Sequence, residues 1–137
     1  MLLSSWLYVS TSLLSQEQVM EEIEKIVTVS RDRNHDLDVT GALLFTGERF
    51  VQLLEGPPEG VATLQRSIFR DSRHHKVTTI HHDDVSERKF LGWALAYAGP
   101  SRLVAKTVND GIMLSERDPA QGSAVLVQLL ENFSPLD

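Results

Sequence analysis

The run Arg49-Phe50-Val51-Gln52-Leu53-Leu54 is apolar after its first residue except for Gln52. In an extended chain alternate residues share a face, so Phe50, Gln52 and Leu54 point one way and Val51 and Leu53 the other. A buried side-chain amide left without partners costs about 1–3 kcal/mol, so Gln52 must meet donors and acceptors. Tyr8 shares the parity of Trp6 and Ser10 in another aromatic and β-branched run, and Asn34 stands near the end of a helical stretch. If the strands of Tyr8 and Gln52 are neighbours, a phenol and two amides converge. Such a set suits a planar, uncharged, hydrogen-bonding heterocycle better than a metal ion or a phosphate. The plainer reading is a core amide satisfied by neighbouring side chains or a water, and the residues alone leave both open.

Two other constellations carry less. Asp32-x-Asn34-x-Asp36 opens like a calcium loop, but Leu37 stands where the turn glycine belongs and Leu43 where the bidentate glutamate belongs. A polar helix-to-strand loop is the better expectation. His74, His75, His81, His82, Asp83 and Asp84 form a cluster, yet on a strand His81 and Asp83 share one face and His82 and Asp84 the other. A zinc or manganese site would need a third ligand from elsewhere, so a solvated strand end is expected and no metal is assigned. With no cysteine, thiolate metal sites, disulfides and cysteine nucleophiles are excluded. No Ser-His-Asp, Walker or GxGxxG motif supports an enzyme.

The elements that must hold these residues follow from periodicity. Residues 6–11 read as a strand. Ser15 and Gln18 form a capping box ahead of a helix with Val19, Ile23, Ile26 and Val27 on one face, ending near Arg33. Residues 38–46 and 49–54 read as a hairpin around Gly47, and Pro58 opens a second helix with Val61, Leu64 and Ile68 inward. Strands are expected at 77–85 and 91–97. The order β-α-β-β-α-β-β is α+β and ferredoxin-like with one added strand, both helices lying on one face. Because Val51 and Leu53 also need cover, the other face must be closed by the chain after Pro100 or by a partner. A helix at 119–133 is capped by Asp118, begins at Pro119 and carries Val125, Leu126, Leu129, Leu130 and Phe133. Residues 102–114 look like a weaker helix interrupted at Asn109-Asp110-Gly111.

The 137 residues suffice for one domain, and 42% hydrophobic with 23% charged residues is ordinary for a globular protein. The formal charge of −6 and the lack of a Lys/Arg run argue against nucleic acid as the main ligand. No apolar run approaches the ~20 residues that span a bilayer. The start Met1-Leu2-Leu3-Ser4-Ser5-Trp6 lacks a basic segment and a small-residue cleavage site, so a cytoplasmic protein is expected.

The chain resembles the BLUF domains, blue-light sensors that use FAD, of the short stand-alone type. The matching residues are Leu7-Tyr8-Val9-Ser10, Asn34 ahead of Val39-Thr40-Gly41, Phe50-Val51-Gln52-Leu53-Leu54-Glu55-Gly56-Pro57, Arg70-Asp71-Ser72-Arg73-His74 and Phe90-Leu91-Gly92-Trp93. The resemblance implies a flavin-binding core over 1–98 and a two-helix cap over 99–137 on the other face of the sheet. It implies a non-covalent FAD between the two core helices, held by Tyr8, Asn34 and Gln52 with Arg33, Ser30 and Asp71, FMN or riboflavin being alternatives at the phosphate end. Tyr8 and Gln52 would be the photoactive pair. In that family chemistry an electron and a proton pass from Tyr8 to the flavin and return, and Gln52 is left rotated or tautomerised with a small red shift. Ser10, Trp93 and Leu95 would tune the response.

This chain departs from the family pattern in three places. Leu95 stands where the family usually has Met, Arg33 where many members have Asn or His, and Ser67 where some carry a basic residue, with Arg66 one position off. The expected function is a photoreceptor rather than an enzyme. With no effector domain expected in this length, output passes in trans to a signalling partner, a homo-oligomer being the default. The alternatives are a light-insensitive ferredoxin-like adaptor without flavin and, more remotely, a metal-dependent enzyme built on the histidines.

Overall fold

The computed structural model describes residues 2–135. Met1 of the N-terminal segment, and Leu136 and Asp137 of the expected cap, lie outside the described residues. Strand β1 (Leu3–Ser12) is followed by helix α1 (Val19–Asp36), strands β2 (Thr40–Phe45) and β3 (Arg49–Gly56), helix α2 (Pro58–Arg70), strands β4 (His74–Val85) and β5 (Trp93–Ala98), and helices α3 (Arg102–Arg117) and α4 (Pro119–Phe133). The strands form one sheet in the order β4-β1-β3-β2-β5. Neighbours run antiparallel except β2 and β5, which are parallel. This is the expected α+β, ferredoxin-like order with β5 added beside β2.

The two apolar faces of β3 feed two cores. Phe50 and Leu54 pack with Trp6, Tyr8 and Phe45 under Ile23 of α1 and Val61 and Leu64 of α2. Val51 and Leu53 pack with Leu7, Val9 and Leu44 under Val104 and Val108 of α3 and Leu126 and Leu130 of α4. The second face is therefore covered by this chain's own C-terminal helices. Gly41 lets β2 approach β3: its φ is +149°, and a Cβ there would run into the Leu53 carbonyl oxygen.

Local signals set the helix starts. Ser15 and Gln18 exchange side-chain-to-backbone bonds of 3.3 Å in the turn before α1. Asp118 Oδ1 accepts from the Gln121 amide at 3.2 Å, and Pro119 follows.

Several expectations need correction. β1 starts at Leu3 rather than residue 6 and β4 at His74 rather than residue 77, because the two strands pair along most of their length. α1 runs to Asp36 rather than Arg33. α3 is continuous through Asn109-Asp110-Gly111. Lys106 pairs with Asp110 at 2.7 Å on its exposed side, and Gly111 lies where a Cβ would meet the Leu126 side chain at 2.9 Å. The glycine marks a close helix crossing rather than a break. In α4, Phe133 is 41% exposed and rests on Tyr97 with ring centroids 5.2 Å apart, while Val127, absent from the expected stripe, is buried.

Candidate functional site

A cleft open to solvent at its mouth lies between α1, α2 and the sheet. Ile26, Phe50, Leu54, Leu64 and Ile68 make apolar walls, and Tyr8, Asn34 and Gln52 supply the polar floor. The sheet register places Tyr8 directly opposite Gln52 across the β1–β3 pair. Gln52 Nε2 donates to the Tyr8 hydroxyl at 2.6 Å, and Trp93 Nε1 donates to Gln52 Oε1 at 2.9 Å. The amide is thus held by both ends, with opposite polarity at each. Asn34, turned so that both its ends are paired, donates to the Ser30 carbonyl at 3.3 Å and accepts from Trp93 Nε1 at 3.1 Å. The indole N–H is shared between the two amides.

Burial governs the electrostatics. It pushes the Tyr8 phenol well above its usual range; the bond from Gln52 opposes this, and the Asp71 carboxylate adds to it. Tyr8 therefore keeps its proton at any ordinary pH. Asp71 is held below the usual carboxylate range chiefly by Arg73, which grips it with contacts of 2.6, 2.9 and 3.2 Å. Arg73 also reaches Glu22 of α1 at 3.5 Å. His74 donates from Nε2 to the Ile68 carbonyl at 2.6 Å, which leaves Nδ1 to accept from the Ser10 hydroxyl at 2.7 Å. That tautomer is assigned from the bonding partners.

The expected residues divide clearly. Ser30, Arg33 and Asn34 line the cleft from successive turns of α1, and Asp71 lines it beyond the end of α2. Ser67 lines it too, whereas Arg66 is exposed and bonds Thr63 outside it at 3.3 Å. Trp93 touches the site through Gln52 rather than lining the cleft. Ser10 acts at one remove, through His74. Leu95 faces a separate apolar groove beside Val19, Ile23 and Phe45. Arg73 and His74 line the cleft and were missed as site residues. Their signal was the run Arg70–His74, but nothing in its spacing said which members turn inward.

The other motifs are structural. His81 bonds Ser123 at 2.6 Å and Ser5 at 3.1 Å, and His82 bonds Ser4 at 3.0 Å. Among the described residues no group of three or more His, Asp or Glu is placed to hold a metal ion. Asp32 and Asp36 are exposed on α1 while Asn34 is buried, so the three do not converge.

The floor and mouth of the cleft fit a flavin. Two amides and a phenol between apolar walls match an uncharged ring edge, and Arg33 at the rim matches phosphate. The family model described as "BLUF: Sensors of blue-light using FAD" matches residues 3–96. The chain belongs to the BLUF family. Over 79 residues it is 39% identical to the blue light- and temperature-regulated antirepressor BluF of Escherichia coli K12, covering 58% of this chain and 20% of that protein. Over 116 residues it is 34% identical to the photoactivated adenylate cyclase subunit beta of Euglena longa, covering 85% of this chain and 12% of that one. The chain thus spans a fifth or less of the length of these curated relatives. Among solved structures, the dark state of the BLUF protein BlrB matches at 30% identity with a TM-score of 0.75, covering 94% of this chain and 95% of that one. A BLUF domain is a light sensor rather than a catalyst. No described helix is long and apolar enough to cross a membrane.

Proposed function

We infer that this chain is a cytoplasmic blue-light receptor that holds FAD in the α1–α2 cleft and passes its signal in trans to a partner protein. The observation that carries the reading is the Gln52 amide, bonded at one end to Tyr8 and at the other to Trp93. Residues 1–98 form the flavin-binding core and 99–137 the cap. Tyr8, Asn34 and Gln52 hold the ring edge, and Ser30, Arg33 and Asp71 hold the rest of the cofactor, with Arg73 added at the rim. Arg33 favours FAD or FMN over riboflavin, because a guanidinium recognises phosphate in a fork of two bonds, whereas Arg73 is already engaged by Asp71 and Glu22. When bound, a flavin supplies blue absorption and an excited ring that accepts an electron.

The residues do the rest. With a flavin bound to accept them, buried Tyr8 would give up its electron together with the hydroxyl proton, since a charged phenol is strongly disfavoured there. Once the electron and the proton had both returned to Tyr8, the Gln52 amide would be left turned over. Its oxygen then faces the Tyr8 O–H, and its NH2 faces the Trp93 N–H. Two donors in contact repel, so the indole leaves Gln52 for the Asn34 carbonyl oxygen within its reach. The signal therefore leaves through β5, where Trp93 is the first residue. A homo-oligomer, if it forms, uses a surface other than the α4 stripe, which is spent on the chain's own sheet.

The test is an absorption spectrum of the purified protein, reconstituted with FAD, before and after a blue pulse. A small red shift that reverts in the dark is expected. Bound flavin without a shift overturns the switching, and failure to bind flavin overturns the reading in favour of a flavin-free adaptor.

A further inference from the structure

Glu55 is 1% exposed, a carboxylate sealed inside the sheet. It follows Leu54 on β3 and shares the parity of Val51 and Leu53, so it lies on the sheet face away from the cleft. Burial raises its pKa, and the bonds it receives oppose that shift. One oxygen, Oε1, accepts the amide hydrogens of Lys89 at 2.8 Å and Phe90 at 3.2 Å. The preceding residue, Arg88, works beside it. Its guanidinium donates to the Glu55 carbonyl at 3.0 Å, the Thr40 hydroxyl at 2.9 Å and the Asp38 carbonyl at 2.9 Å.

Three consecutive loop residues are thereby pinned to the end of β3 and the start of β2. Phe90 is itself buried in the core under α3 and α4. Two residues on, the Gly92 carbonyl takes the Gly41 amide at 2.9 Å, and the next residue is Trp93. Neither Glu55 nor Arg88 lines the cleft, yet the loop they hold delivers the indole to Gln52.

We propose that Glu55 and Arg88 are positioning residues, a clasp on the β4–β5 loop that seats Trp93 on the Gln52 amide and so sets how long the lit state lasts. The assignment rests on the photoreceptor reading above. The Trp93–Gln52 bond favours the dark orientation of the amide. A loop freed from the clasp weakens that bond, and the loss of one hydrogen bond changes a rate by about fivefold.

The test uses the full chain loaded with FAD. Dark recovery is timed after a blue pulse, and the Trp93 indole N–H resonance is followed, identified by its absence in Trp93→Phe. Glu55→Gln keeps an oxygen acceptor and is expected to recover like the parent. Glu55→Met removes the acceptor and is expected to move recovery about fivefold, in the direction that Trp93→Phe moves it, and to shift the indole resonance. In the Trp93→Phe background the same change is expected to do nothing more, because both act through one bond. Recovery and resonance unchanged in Glu55→Met, or an effect that adds in full to Trp93→Phe, overturns the clasp. Should Glu55→Met fail to fold, Arg88→Met opens the clasp from a more exposed position; the same shift supports it and no shift overturns it. A parent without a red shift sinks the photoreceptor reading alone, since the indole resonance still reports whether the clasp seats Trp93.

Discussion

Gln52 is the one polar side chain on its face of β3, and its value lies in having a donor at one end and an acceptor at the other. Tyr8→Phe removes the hydroxyl that Gln52 Nε2 bonds at 2.6 Å and leaves the ring in place. The variant is expected to bind flavin and lose the red shift, read in the same absorption measurement. Gln52→Leu is expected to do likewise, since a leucine fills the space and has nothing to reverse. Asn34 and Tyr8 were recognisable from type and parity. Trp93 was expected to tune the response from the resemblance alone, because the bond from its indole to Gln52 spans 41 residues and no local pattern records it. Leu95, expected to tune the response, faces the separate groove beside Val19 and Phe45.

At the scale of elements, the cleft depends on how α1, α2 and β4 are tied together. Arg73 joins Asp71, at the C-cap of α2, to Glu22 of α1. Because Arg73 lowers the Asp71 pKa, the pair stabilises the fold above the ordinary carboxylate value of 3.8, and that stability is lost as pH falls through the lowered folded value. Asp71→Asn is therefore expected to lower the unfolding midpoint at neutral pH, with the gap from the parent closing in acid. Thermal melts across pH check this, and a gap that persists at low pH contradicts it. The α3–α4 crossing is a second joint. A Cβ on Gly122 would run into the backbone of Ser115, so Gly122→Ala is expected to cost about 1–3 kcal/mol, measured by denaturant unfolding. The chain's glycine in Asn109-Asp110-Gly111 misled as a breaker for the same reason: in sequence, close packing and a turn use the same residue.

Across the whole molecule, the sheet separates two tasks. One face carries the cleft, and the other carries an apolar layer of Leu7, Val9, Ala42, Leu44, Val51 and Leu53. Removing the chain after residue 98 bares that layer, which exceeds what a soluble monomer ordinarily exposes. The truncated protein is expected to self-associate, seen by light scattering, and a monodisperse product would show that α3 and α4 are dispensable for the fold. On the proposed route the signal leaves the cleft through β5, an edge strand that begins at Trp93.

The periodicity of the chain determined its own element order, the two-sided burial of β3, the helix starts at Pro58 and Asp118, and the facing of Tyr8 with Gln52 once a ferredoxin-like order is assumed. These are local or parity properties, carried by spacing within one element or by alternation along a strand. Only the tertiary structure decided that α4 covers its own sheet, that Gly111 serves a helix crossing, that Arg73 and His74 turn into the cleft, and that Glu55 grips the loop before Trp93. Each of these joins residues distant in sequence. Their energies come from contacts made when separate elements meet, so no stretch of sequence contains them.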